Sequence, residues 1–206
     1  MDDGVRLAEL VCARICHDLS GLLGSLLATL EVVAEESDAT EALSIATDTS
    51  RALALRLKLL RAAWAGHPEP LDLPHLRALA QGLAARACGL DVAALPTTTI
   101  LSPAVGRLVL NLLLLAAESL PQGGVLRLEG DSSDMIARLD GPNAAWPPGL
   151  IGMLADPSSA RQALADPRTL QAPLTALLAR HHGLRLTVLL PTGPTTAAPP
   201  LRLSTV

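Results

Sequence analysis

Between residues 5 and 36 the chain contains no proline and places apolar side chains in steps of three and four, at Cys12, Ile15, Leu19, Leu22, Leu26, Leu30 and Val33. That spacing keeps one stripe of a long helix turned toward a partner helix and is incompatible with a strand. A second proline-free run follows. Asp38-Ala39-Thr40-Glu41 offers an N-cap and a helical first turn, and the run continues to about Trp64 with a seam at Ala46, Thr49, Leu53, Leu57, Leu60 and Trp64. Two long helices joined by a few residues must lie antiparallel, as a hairpin. One hairpin leaves much of both stripes wet. Pairing two hairpins into a four-helix bundle covers them, so the expected assembly is a homodimer held by Leu22, Leu26, Leu53 and Leu57.

Half of the residues are hydrophobic, yet there is no Phe, no Tyr and only two Trp. The core must therefore be built of Leu, Ala, Val and Ile. The net charge is −4, with fifteen Arg and a single Lys, Lys58. Nucleic-acid binding would call for a basic excess and stacking aromatics, and both are missing. The longest uncharged apolar stretches, 19–30 and 108–117, fall short of the roughly 18 to 20 residues of a membrane span. Met1-Asp2-Asp3 does not open a secretory signal, and three cysteines make no disulfide framework. A soluble protein of the reducing cytoplasm is the expectation.

Gly66-His67-Pro68-Glu69-Pro70 closes the helical module, since two prolines within three residues cannot continue a helix. The chain thus divides into a hairpin domain, 1–66, and a second domain, 70–206. In the second, Leu73 to Ala87 reads as a helix, Asp91 to Leu101 as extended chain and Pro103 to Leu120 as a buried helix. Gln122-Gly123-Gly124 is a turn into a strand, Val125 to Gly130, and a further strand runs from Met135 to Asp140. After a Pro- and Gly-rich loop, short helical pieces lead to a helix at Leu170 to His182. Strands at Leu184 to Leu190 and Leu201 to Val206 follow. Helices and adjacent strands without strict alternation imply an α+β sandwich.

Of five histidines, only His17 lies in the middle of a long helix. Counted from the seam it falls at heptad position f, roughly 140° away, and points outward. Ser20, Gly21 and Gly24, then Ala28, share its face. A glycine inside an exposed helix costs about 1 kcal/mol relative to alanine, so two of them suit a strip kept smooth for a docking partner. Close packing within the protein is the competing explanation. Arg14, three residues before His17, is placed to stabilise negative charge arriving on the imidazole, or is simply a solvated rim charge. Asp18 can orient the ring and keep the attacking nitrogen unprotonated, provided its rotamer reaches back. Cys12 and Cys16 fall on the apolar side, as core thiols. No ligand is spaced to complete a metal site with them. His181-His182 closes a helix where positive charge suits the dipole.

The segment Leu10-Val-Cys-Ala-Arg-Ile-Cys-His17-Asp18-Leu19-Ser20-Gly21 resembles the phosphoacceptor helix of the ChpT-type histidine phosphotransferases of alphaproteobacteria, and more distantly the H box of sensor histidine kinases. Leu108 to Gly124, with Asn111, Leu115 and Glu118, is similar to that family's counterpart of the kinase N box. Leu177 to Leu186 is similar to the kinase helix that ends at His-Gly before a last strand. The resemblance implies a dimeric phosphohistidine bundle with a degenerate copy of the kinase ATP-binding domain attached. It implies that His17 accepts a phosphoryl group from the receiver domain of a hybrid kinase and donates it to a response-regulator receiver. Magnesium would come with the receiver, so no cofactor of the chain's own is implied.

Departures from the kinase pattern bear on ATP. Leu115 stands where a kinase has its magnesium-binding Asn, and Glu118 where a basic residue is usual. Asp140-Gly141-Pro142-Asn143-Ala144 lacks both glycines of Asp-x-Gly-x-Gly, and no Gly-x-Gly occurs in the sequence. Phosphate-cradling nests have no evident source. An ATP-dependent kinase fragment, or a dimeric scaffold without chemistry, are the competing functions.

Overall fold

The computed structural model describes residues 3–35, 39–65, 69–190 and 198–205. Helices α1 (Asp3–Glu35) and α2 (Thr40–Trp64) form the hairpin. The expected N-cap, Asp38, lies outside the described residues. Ala39 occupies the capping position, without a side-chain bond to the helix. Residues 66–68 of the closing segment are likewise outside the description.

The second half opens with β1 (Leu71–Asp72) and α3 (Leu73–Ala80), which Asp72 caps by accepting the His75 amide at 2.8 Å. The helix expected to run to Ala87 stops at Ala80 and tightens into a 3-10 turn, Gln81–Arg86. The reason is local. Gly82 lies so close to α2 that a β-carbon there would stand 2.7 Å from the Leu55 carbonyl oxygen, and Ala87 takes a left-handed conformation at φ 50°. Strand β2 (Cys88–Ala94) begins three residues earlier than expected, and the extended run does not reach Leu101. A turn around Pro96 interrupts it, and β3 (Ile100–Leu101) pairs instead with β1.

Helix α4 (Pro103–Ser119) starts under a Ser102 cap with proline at its first position. That proline gives up an amide that would have had no intrahelical partner. Strands β4 (Gly124–Gly130) and β5 (Asp134–Asp140), helices α5 (Leu150–Ala155), α6 (Pro157–Gln162) and α7 (Gln171–His181), and strands β6 (Leu184–Val188) and β7 (Leu201–Thr205) complete the chain. The sheet order is β2-β4-β5-β7-β6, with only the β2–β4 pair parallel. Its alternate residues Leu126, Leu128, Met135, Leu201 and Leu203 are buried with Leu108, Leu112 and Leu115 of α4 in one aliphatic core. The fold is α+β, as read from the sequence.

That core does not stop at the hairpin. Leu59, Leu60 and Ala63 of α2 belong to it. Leu10 of α1 is buried separately with Leu164, Leu170 and Leu174, and Trp64 packs against both clusters. Asn111, wholly buried in α4, ties the halves together. Its carboxamide oxygen accepts from the Trp64 indole at 2.9 Å and from Gln171 at 3.1 Å, and its nitrogen donates to the Ala63 and Arg107 carbonyls. A buried amide satisfied on both atoms fixes register as well as contributing energy.

Three expectations at the residue level are corrected. Cys12 and Cys16 are exposed rather than core thiols, because the buried face of α1 at that level is the one carrying Leu10 and Arg14. Arg14 is neither outward nor a rim charge but buried, because the second domain covers that face. His182 is partly buried, and burial, then the charges of His181 and Arg107, hold it below the usual histidine range. This weakens, at His182, the match of positive charge to the helix end.

Candidate phosphoacceptor site

His17 stands at mid-height of α1 with its side chain 62% exposed, beside an Asp18 carboxylate that is only 1% exposed. Consecutive helix residues diverge, so the contact is made by the ring. Nδ1 lies 3.5 Å from Asp18 Oδ1, which leaves Nε2 as the outward nitrogen.

Asp18 is the hub of an ionic cluster between the hairpin and the second domain. Its Oδ1 receives Arg14 Nε at 3.0 Å and Arg86 Nη2 at 3.4 Å, and its Oδ2 receives a short hydrogen bond from Arg56. Burial alone would raise this carboxyl. The charges of Arg56 and Arg14, the hydrogen bond from Arg56 and the charge of Arg86 outweigh it, and Asp18 sits below the usual carboxylate range. Arg14 is further held by Glu118 at 2.6 Å and by the carbonyls of Pro167 and Arg168 at 3.2 and 3.3 Å. Burial pushes Glu118 up, and Arg14 draws it part of the way back. Arg14 therefore braces Asp18 and the domain junction rather than facing the imidazole.

The strip beside His17 is open. Ser20, Gly21 and Gly24 are exposed. A β-carbon added at either glycine would meet nothing within 4 Å, so no packing inside this chain requires them. The Ser20 hydroxyl donates to the Cys16 carbonyl at 2.6 Å and is turned along the helix. Alongside runs a groove of 450 Å³ lined by His17, Asp18, Gly21, Leu55, Arg56 and Arg86.

Sequence reasoning singled out His17, Asp18, Arg14 and the small-residue strip, but not Arg56, Arg86 or the pairing of Glu118. Glu118 carried a signal, as the one carboxylate in a helix made mostly of Leu, Val and Ala. Arg56, between Leu55 and Leu57 in a seam-forming helix, carried a weaker one. Arg86 carried none, because its place depends on the 3-10 turn.

A protein-family model described as "Histidine phosphotransferase C-terminal domain" matches residues 73–192. The chain is 25% identical over 189 residues to "Protein phosphotransferase ChpT" of Brucella abortus (strain 2308), covering 88% of this chain and 89% of that protein. A solved structure described as "1.7 Angstrom Structure of a Bacterial Phosphotransferase" superimposes with a TM-score of 0.73 at 21% identity, over 97% of this chain and 95% of that one, which establishes the shared fold. The cytoplasmic segment of histidine kinase QseC gives a TM-score of 0.40 at 16% identity, over 78% of this chain and 93% of that one.

Proposed function

The chain belongs to the histidine phosphotransferase family, and from that premise we propose that His17 carries the phosphoryl group, taking it from a phosphoaspartate of one receiver domain and passing it to the aspartate of another. The observation that carries this reading is the exposed imidazole whose Nδ1 faces a buried carboxylate at 3.5 Å. With the proton on Nδ1, the Nε2 lone pair is free to attack. The N–P bond forms as the acyl P–O bond breaks. The receiver carboxylate leaves, and the ring keeps its Nδ1 proton with a positive charge that Asp18 offsets. The return step runs the same path backwards.

His17, Asp18 and Arg14 thus have different duties. His17 is the nucleophile, Asp18 sets the tautomer and offsets the ring charge, and Arg14 holds Asp18. Ser20, Gly21 and Gly24 form the docking strip, where small side chains let a receiver approach the helix. The chain brings no cofactor, and magnesium arrives with the receiver. ATP is not used. Leu115 is wholly buried in the apolar core and Glu118 is engaged with Arg14, so neither offers a magnesium ligand. Two copies form the working unit through the apolar face of the hairpin. α1 has the length and hydropathy of a membrane span, but Arg14 near its middle is held by Glu118 and by the Pro167 and Arg168 carbonyls outside the hairpin, which favours a second hairpin as its cover.

The test is transfer from a phosphorylated receiver. The wild type should acquire an acid-labile, base-stable adduct, since a phosphoramidate hydrolyses once its nitrogen is protonated, and His17→Ala should acquire none. Equal labelling of His17→Ala would overturn the assignment, and micromolar ATP affinity by calorimetry would favour a kinase.

A further inference from the structure

Arg86 is the one arginine of the Asp18 cluster that lies outside the hairpin, and it lines the groove beside His17 with a partly exposed side chain. Asp18 is bonded by three arginines, of which Arg14 and Arg56 have side chains 8% and 6% exposed, against 40% for Arg86. Arg14 is tied by four partners, and Arg56 is buried against the carboxylate. Arg86 Nη2 donates at 3.4 Å to Asp18 Oδ1, the same oxygen that lies 3.5 Å from His17 Nδ1. The cluster of Arg14, Arg56, Arg86, Asp18 and Glu118 carries one positive charge in excess. Among the described residues, Nη1 of Arg56 is buried without a hydrogen-bond partner.

We propose that Arg86 is a catalytic residue that swings from Asp18 to the phosphoryl group on His17, and that supplying it is a duty of the second domain. The inference rests on His17 being the phosphoacceptor. Arg86 exchanges a long, half-solvated contact with a carboxylate for a charge-assisted bond to phosphoryl oxygens, which a planar guanidinium matches in shape. Asp18 stays paired with Arg14 and Arg56. Its Oδ1 loses a competing donor and can tighten on His17 Nδ1–H as the ring becomes positive, so one movement serves both ends of the forming N–P bond. The reach of Arg86 is set by the seat of its turn. Gly82 lies against the Leu55 carbonyl, where a β-carbon would be 2.7 Å away, and so fixes the turn on α2 at the residue preceding Arg56.

Two measurements on the full chain test this. The first is the rate of transfer from a phosphorylated receiver. Arg86→Ala should slow it roughly tenfold, below the about hundred- to thousandfold loss of a donor in a water-excluded site because this site is open to water, and Arg86→Lys should recover part of the rate. The second uses the small donor phosphoramidate, which needs no receiver, to phosphorylate His17, and follows the phosphorus NMR signal against pH. A guanidinium at the phosphoryl oxygens favours the dianion, so the titration midpoint should be higher in Arg86→Ala than in the wild type, with Arg86→Lys between them. Identical midpoints would overturn the role of Arg86, as would unchanged transfer rates. If receivers fail to phosphorylate the wild type, the relay reading falls, while the phosphoramidate comparison still decides Arg86. If phosphoramidate labels Arg86→Ala at a residue other than His17, both fall.

Discussion

Asp18 keeps its charge in a place from which water is nearly excluded, and the cost of that burial is met by three guanidinium groups. Removing the charge should therefore be expensive. Asp18→Asn leaves Arg14 and Arg56 buried against a neutral amide and should destabilise the fold by about 3 to 5 kcal/mol, the range for breaking a buried ion pair, measurable by urea unfolding at neutral pH. The folded Asp18 titrates below its unfolded value, so its contribution is present above the unfolded carboxylate range and is lost as pH falls through the folded one. The stability gap between wild type and Asp18→Asn should accordingly close toward acid. Glu118, raised by burial, acts in the opposite sense, and because the Asp18 charge is the smallest of the causes named for that rise, its removal in Asp18→Asn blunts the trend without reversing it. A gap constant down to the folded titration of Asp18 would show that the cluster is not ionic. At this scale the helical wheel placed His17 correctly outside, because the 3-10 turn that lines the groove beside it leaves the ring uncovered. It misplaced Arg14, because a wheel counted from one seam knows nothing of a domain that covers another face.

Along α1 and the 3-10 turn, two glycines look alike in sequence and behave oppositely in the structure. Gly24 faces open space, whereas Gly82 abuts a helix backbone. Gly24→Ala should stabilise the protein by up to about 1 kcal/mol while slowing transfer from a receiver, and Gly24→Leu should abolish receiver binding with the helical circular-dichroism signal unchanged. If Gly24→Leu instead unfolds the hairpin, the strip serves packing and the docking face lies elsewhere. Gly82→Ala should destabilise the fold, since the carbonyl of Leu55 can yield only by bending α2. A melting temperature at or above the wild-type value would show that the turn is not seated as described. Periodicity and punctuation located both helices and nearly every strand, but could not show where α3 gives way to the 3-10 turn, because that depends on contact with α2 across 27 residues of chain.

Seen as a whole, the molecule exposes Leu23, Leu27 and Leu30 on one face of α1 and Leu43 and Leu57 on one face of α2, large aliphatic side chains left uncovered among the described residues. A patch of that kind marks an interface. Leu22, Leu26 and Leu53, expected from the heptad count to hold the dimer, are only half exposed. Charging them would disturb the hairpin itself. The cleaner test is Leu27→Asp with Leu57→Asp, which should convert a dimer into monomers by light scattering while leaving the Asp18 cluster intact. A wild-type monomer at micromolar concentration would remove the bundle from the proposal.

By itself the sequence determined the hairpin, the α+β second half, the exposed histidine and its acidic neighbour, because each follows from local periodicity, proline and glycine punctuation or adjacency in one helix. Only the tertiary structure decided that Arg14 turns inward, that Glu118 and Arg56 join it, and that Arg86 reaches the Asp18 carboxylate from 68 residues away. The physical reason is that a buried charge must find its partners wherever the packing of two domains brings them, and no pattern within a single element records which ones those will be.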